Sequence, residues 1–567
     1  VQSVDEAGRD TQPVAGERSP VASRGTDAVA VALAGLVGSA ALVYAWFQQY
    51  AVDPEVTLLP WLMRQGWPLY QDLIDQHPPL FPLMLTLLNG DPGLPTRIFI
   101  VALRGLTLLL TYVVARRLAG VWGGLIALAA TALWALGAEG AHLWYDSALA
   151  PIYLGVVLLL VAGFSSPPRY LNHKGTESTK NPRRYLWFFI TEGTERTESA
   201  ELTEDHDSRF TIRVPGPTWS DGVLAALSLG LLLGIAILIK QHAMVAVPGV
   251  ALAIGWGTAS PGRVRRLVAF ADGLLLPLLI AAACFVLQGT WEEMAYWAIG
   301  YTVDANYASA AAMPPASGEW LWLAAGLAPA VALLVAWPGA GARSAWRAHS
   351  RLILAGPWLL LAAILPVWPR YGRFHLQAAV PLLAVAAGVA AIVAIRSLRR
   401  PAPGIRTAAT LAAVLLAAYA LVGFREASES IRIQTTLGPV AAPYAATATP
   451  LAAWVDAHTT PGAPIVLYGV DALLYRVLDH PPPRPWAPLL PWIMSAHGTH
   501  ARLWAGVVAT RPQVAIVASS WWYAKAYSSV APGPEWLRTA YHPAASFEVS
   551  PYAGAPLVRV VALLLDK

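Results

Sequence analysis

Two carboxylates, Asp53 and Glu55, stand at i and i+2 across Pro54, directly after an apolar stretch running from Ala28 to Phe47. A carboxylate at the mouth of such a stretch can take the proton of an attacking hydroxyl, and an inverting group transfer needs little more than that base and a way to stabilise the departing anion. Asp53-Pro54 also reads as a plain helix-start signal. Further on come Tyr70, Asp72, Asp75 and His77, followed by Pro78-Pro79, prolines that impose an extended turn and would hold Asp75 and His77 near one plane. A lone His is often structural. Asp146 is the second carboxylate candidate; it could bind an acceptor or a divalent cation, or merely cap the helix that follows. The anion would fall to Arg370 and Arg373 in Trp368-Pro369-Arg370-Tyr371-Gly372-Arg373-Phe374-His375, because arginine forks match phosphate oxygens in pairs. The competing role for these arginines is that of snorkelling anchors.

The elements that must position these groups are membrane spans. A 567-residue chain that is 56% hydrophobic and only 13% charged carries too much apolar surface for an ordinary soluble core. Its mean hydropathy is +0.49. Hydropathy places about eleven spans, at 28–48, 97–116, 122–138, 147–164, 221–238, 243–257, 267–287, 320–337, 352–367, 375–395 and 407–423. With the N-terminus inside, the inner loops hold Arg116, Arg117, Arg263, Arg265, Arg266, Arg343, Arg347, Arg351, Arg396, Arg399, Arg400 and Arg406, while Gln288 to Trp320 has no Lys or Arg. That asymmetry fixes a cytoplasmic N-terminus in a multi-pass plasma-membrane protein. It also explains the net charge of +5 without nucleic acid as a partner. Arg370 and Arg373 break the positive-inside trend, which makes them informative. Leu80 to Leu88 is apolar but too short to cross, so an interfacial or re-entrant helix fits it. Arg104, inside the second span, is expected to pair with an acid.

Around this membrane domain of 28–423, with its first outer loop at 49–95, lie three other segments. Residues 1–27 read as a disordered cytoplasmic tail, and 165–217 as a low-complexity cytoplasmic insertion with recurring Thr-Glu pairs. Residues 424–567 change to the composition of a soluble α/β domain outside the membrane, with strands expected at Ile465 to Val470 and Val514 to Ala518. The single cysteine, Cys284, excludes an intrachain disulfide and a thiolate cluster and is expected to be a small buried hydrophobe.

The stretch Gly66-Trp67-Pro68-Leu69-Tyr70-Gln71-Asp72 followed by Asp75-Gln76-His77-Pro78-Pro79-Leu80 resembles the "G-x-P-x-Y-x-D" and "D-x-H-P-P-L" segments of integral-membrane glycosyltransferases that use polyprenyl-phosphate sugars. The similarity is to the bacterial relatives of the protein O-mannosyltransferases and of the aminoarabinose transferases, the family 39-like enzymes of GT-C type. It implies a polytopic α-helical GT-C fold and an inverting transfer from a lipid-phosphate donor to a protein, lipid or glycan at the outer face. It further implies that an acid of the first outer loop, Asp53 with Glu55 beside it, is the base; that Tyr70, Asp75 and His77 contact substrate; and that Lys240 of Lys240-Gln241, with Arg370, Arg373 and His375, meets the donor phosphate. No cofactor is required by this chemistry, and a divalent cation is left open. Two other readings compete: a flippase of lipid-linked sugars, which the lack of repeated halves disfavours, and a scaffold that binds a surface polymer through its C-terminal domain. The insertion at 165–217 departs from the family pattern.

Overall fold

The computed structural model describes residues 20–48, 51–52, 54–88, 93–138, 142–162, 170–171, 177–178, 222–256, 260–304, 307, 312–336, 342–399, 402–431, 442–488, 490–496, 498–518, 535–550 and 557–566. Asp53 and most of the 165–217 insertion lie outside the described residues, as do the side chains of Glu55 and of Pro20 to Gly25.

The chain is mostly helical, and eight helices among the described residues are long and apolar enough to cross a membrane. Two shorter apolar helical stretches, Val223–Ile239 and Gln241–Gly255, accompany them. The longest helix, Leu94–Gly137, has 44 residues and bends at Gly120, whose φ of 81° only a residue without a Cβ adopts easily. This one element holds both segments expected as 97–116 and 122–138. Two expected boundaries move outward. The first helix begins at Pro20 rather than 28, inside the expected tail, with a proline suited to the first helical turn. The last apolar helix runs Pro403–Ser430, well past Gly423, and its polar final turns carry an exposed Arg425–Glu429 pair at 2.9 Å. Hydropathy marks where apolar residues stop, and a helix can go on into water.

Glycines set the closest helix crossing. Val223–Ile239 packs on Ser260–Leu287 so tightly that a Cβ on Gly230 would stand 2.0 Å from the Phe270 carbonyl oxygen, and one on Gly273 2.1 Å from that of Leu227. Small residues permit such approach where lipid supplies no hydrophobic drive between helices. On this same pair Cys284 is exposed rather than buried, because the outer surface of a membrane helix is as apolar as its inner one.

At the end bearing the loop 49–95, Ala51–Val52 pairs in parallel with His142–Leu143, which ties the residues just before Asp53 to those just before Asp146. The short helix Leu80–Thr86 buries Phe81, Pro82 and Leu85 and leaves Leu87 exposed beyond it. The C-terminal part carries a four-stranded mixed sheet in the order Val466–Tyr468, Val514–Val517, Val558–Leu565, Tyr541–Val549. The first pair is parallel and the others antiparallel. Tyr541–Val549 has Pro543 at a register shift, tolerable on an edge strand but a poor strand signal in sequence.

The C-terminal part is pinned to the loop that carries Asp72 and Ile74. Ile74 N–H donates to the Trp486 carbonyl at 2.9 Å, and Trp486 N–H to the Asp72 carbonyl at 2.7 Å. Arg484 meets the Asp72 carboxylate at 3.2 Å.

Candidate active site

Four segments far apart in sequence converge on one buried polar centre. The loop 70–77 supplies Asp75 and His77, the first turn of Tyr145–Ala162 supplies Tyr145 and Asp146, the break between two apolar helices supplies Lys240, and the short turn Arg373–Leu376 supplies His375.

Lys240 sits where Val223–Ile239 ends, with extended backbone at φ −155° and ψ 123°, so its side chain turns away from the helix axis into the protein. Its Nζ lies 2.5 Å from Asp146 Oδ2 and 3.2 Å from His375 Nδ1, and His375 Nδ1 is 3.1 Å from the same carboxylate oxygen. A single ring nitrogen can accept from the ammonium or donate to the carboxylate, not both at once. Lys240 and Asp146 are buried, at 3% and 0% exposure, so their charges persist only as a pair. Burial has the largest effect on Lys240 and pulls its ammonium below the ordinary lysine range; Asp146 opposes that pull and the charge of Arg370 adds to it. The second oxygen of Asp146, the side-chain oxygens of Gln76 and Gln241, Nδ1 of His242 and the Tyr153 hydroxyl are buried without a hydrogen-bond partner among the described residues. Buried polar atoms left open in one region mark a place for water or a polar ligand.

Beside this centre, Asp75 Oδ1 accepts from the His77 backbone N–H at 3.2 Å and from His77 Nδ1 at 2.8 Å, and Asp75 Oδ2 accepts from the Tyr145 hydroxyl at 2.8 Å. The His77 ring stacks on Tyr145 with centroids 3.9 Å apart and meets Trp144 edge-on. Tyr70, expected to touch substrate, is fully buried and donates its hydroxyl to the His77 carbonyl at 2.7 Å. It shapes the loop.

The two arginines expected as phosphate ligands have different surroundings. Arg373 is already occupied: Nε and Nη2 meet the two Glu319 oxygens at 2.7 and 3.0 Å, and Nη1 bonds Glu426. Tyr371 adds a 2.6 Å bond to Glu319. Burial works against the guanidinium charge, but the two carboxylates overcome it and raise its pKa. Arg370 has no carboxylate partner among the described residues; its guanidinium carbon lies 4.2 Å from the centre of the Trp492 ring. Arg104 donates to the Gln48 side-chain oxygen at 2.7 Å.

Sequence reasoning singled out Asp75, His77, Asp146, Lys240, Arg370, Arg373 and His375, and the structure brings Asp75, His77, Asp146, Lys240 and His375 together. Asp53 falls outside the described residues. Gln241 was noted only as the partner of Lys240 in the Lys-Gln pair, and Tyr145, Gln76, Trp492, Glu319 and Glu426 were not singled out. Tyr145 adjoins Asp146 and Gln76 lies inside the quoted motif, so adjacency was the available signal; the two glutamates and Trp492 offered none. Among the described residues no group of three or more His, Cys, Asp or Glu side chains is arranged to hold a metal ion.

No protein-family model matches this chain, and no curated protein matches it. Among solved structures it is similar to ArnT from Cupriavidus metallidurans in the apo state, at 16% identity and a TM-score of 0.48, covering 95% of this chain and 98% of that one. The same ArnT bound to undecaprenyl phosphate gives a TM-score of 0.46 at 16% identity over the same shares. The archaeal oligosaccharyltransferase AglB from Archaeoglobus fulgidus, in complex with an inhibitory peptide and a dolichol-phosphate, gives 0.48 at 11% identity, over 93% of this chain and 74% of that one. Likeness at this level leaves function to be argued from the site.

Proposed function

We propose that the chain is an inverting glycosyltransferase of GT-C type, which moves a sugar from a polyprenyl-phosphate donor to an acceptor at the outer face of the membrane. The observation that carries the reading is the convergence of Lys240, His375 and His77, with Arg370 lacking a carboxylate partner among the described residues, beside the strand pair that leads into Asp53 and Asp146. The Lys240 and Arg370 cations and the two imidazoles, near buried, unpartnered polar atoms, suit a phosphate whose lipid tail stays in the bilayer. Asp146 aims Lys240, and Arg370 takes the phosphate edge-on. Arg373, held by Glu319 and Glu426, keeps the turn carrying His375 in place. The acceptor proton goes to a first-loop carboxylate, Asp53 or Glu55; Val52, adjacent to Asp53, pairs with Leu143 three residues ahead of Asp146. Asp75 and His77 complete the donor side. The chain crosses the membrane eleven times with its N-terminus cytoplasmic, and the residues beyond the last apolar helix, 431–567, form an outer α/β domain that covers the site.

The test is a transfer assay on the purified protein with a panel of polyprenyl-phosphate sugars and lipid, glycan and peptide acceptors. At least one pairing should give turnover, and Arg370→Ala should abolish most of it. If wild-type protein carries lipid-linked sugar across vesicles and transfers it to no acceptor, the flippase reading takes its place.

A further inference from the structure

His77 is held more firmly than a simple binding residue requires. Its Nδ1 faces a carboxylate oxygen at 2.8 Å, and a carboxylate only accepts, so Nδ1 carries the hydrogen. The same oxygen accepts the His77 backbone N–H, and the other oxygen of Asp75 is fixed by Tyr145. The ring lies flat on Tyr145 and the main chain is tied by Tyr70. All of this fixes one tautomer and one orientation, with Nε2 as the free end. No group among the described residues bonds Nε2. Such a carboxylate-backed imidazole is built to carry a proton on Nε2 and to give it up.

Tyr70 and Asp75 of its own loop and Tyr145 of the helix start contact His77, and beyond them stand Asp146, paired with Lys240, and His242, whose charge His77 influences. The Gln241 side chain lies 3.5 Å from the Gln76 carbonyl, and the Trp144 ring packs against both His77 and His375, so the His77 loop adjoins the Lys240 and His375 centre.

We propose that His77 is a general acid, which hydrogen-bonds the donor phosphate through Nε2 and delivers its Nε2 proton to the oxygen that leaves the sugar. The role rests on the glycosyltransferase reading above. In the step, the acceptor oxygen bonds to the anomeric carbon as that carbon's bond to the phosphate oxygen breaks, and the electron pair stays on that oxygen. The His77 proton moves onto it, the acceptor's proton goes to the first-loop carboxylate, and water restores both groups after release. Asp75 is the positioning residue, since it fixes the tautomer and orientation of the His77 ring and touches nothing that reacts.

The experiment uses farnesyl phosphate bound to the full-length protein in detergent, followed by phosphorus NMR from acid to alkaline pH. In the wild type the phosphorus signal should move in two coupled steps, because imidazole and phosphate exchange one proton. His77→Gln should leave a single step. His77→Lys should also give a single step, displaced to lower pH by its fixed charge, and with a donor that turns over it should lower kcat about 10²-fold while KM stays within threefold. A single step in wild type that coincides with that of either variant overturns the proposal, as does normal kcat in His77→Lys. If His77→Gln does not fold, the comparison with His77→Lys decides alone. If wild-type protein binds no farnesyl phosphate, the phosphate site fails and the His77 role fails with it; binding without coupled steps removes His77 only.

Discussion

The Trp492 indole of the C-terminal domain covers the Arg370 guanidinium of the membrane domain, with 4.2 Å between the guanidinium carbon and the ring centre. A guanidinium held against an aromatic face keeps its edge free for a bidentate partner and gains about 0.5–2 kcal/mol from the contact. Trp492→Ala should therefore weaken binding of a polyprenyl phosphate about threefold to thirtyfold, while Trp492→Phe keeps most of the affinity. Calorimetric or fluorescence titration with undecaprenyl phosphate decides it; unchanged affinity in the alanine variant would mean that the stack does not orient Arg370.

The two arginines should separate cleanly in stability. Removing Arg373 strands Glu319 and Glu426, both more than three-quarters buried at their side chains. Bonds to charged groups of this kind are worth about 1.5–3 kcal/mol, so Arg373→Met should lower the unfolding temperature, and adding Glu319→Gln should restore part of it. Arg370→Ala should leave thermal unfolding nearly unchanged and remove donor binding. Equal stability losses in the two variants would contradict this division of labour.

Much of this site was legible because its residues are chemically out of place. Lys240 interrupts an apolar run, and Arg370 and Arg373 defy the charge asymmetry of the loops, so each stands out without any knowledge of its neighbours. The helices were legible for a similar reason, since hydropathy reports lipid contact directly. The pairing was not. That Lys240 meets Asp146, that Arg373 is taken up by Glu319 and Glu426, and that Trp492 reaches Arg370 depend on contacts across tens to hundreds of residues, and a glutamate at the start or end of an apolar helix looks like any interfacial charge. The edge strand Tyr541–Val549 was hidden because Pro543 and two alanines in a row dilute its alternation.

The Lys240–Asp146 pair predicts a dissociation of folding from function. Lys240→Met leaves a carboxylate with no countercharge in a fully buried place, a change that costs about 3–5 kcal/mol, whereas replacing both partners by apolar groups of similar volume is often neutral. Lys240→Met should thus unfold well below wild type, and the double variant Lys240→Met/Asp146→Leu should recover most of the loss. Neither should bind undecaprenyl phosphate tightly. A double variant that is both stable and fully active would show that the pair has no part in donor binding.

The same pair bears on the question of a metal. A divalent ion on Asp146 would have to share the carboxylate with an ammonium 2.5 Å away, and even at an effective dielectric of about 20 a unit charge 4 Å from another costs about 4 kcal/mol, doubled for a divalent ion. While Lys240 is charged, a cation on Asp146 meets that repulsion. Turnover by the wild-type protein should then persist within about twofold in excess chelator, a tolerance far below the 10²-fold scale of losing a catalytic group. The Lys240→Met variant should behave differently, because its bare carboxylate becomes a cation site, and magnesium or manganese should raise its unfolding temperature while leaving that of the wild type unchanged. Activity that collapses in chelator and returns with a divalent ion would place a metal at the reacting centre and require Asp146 to release Lys240 during the cycle.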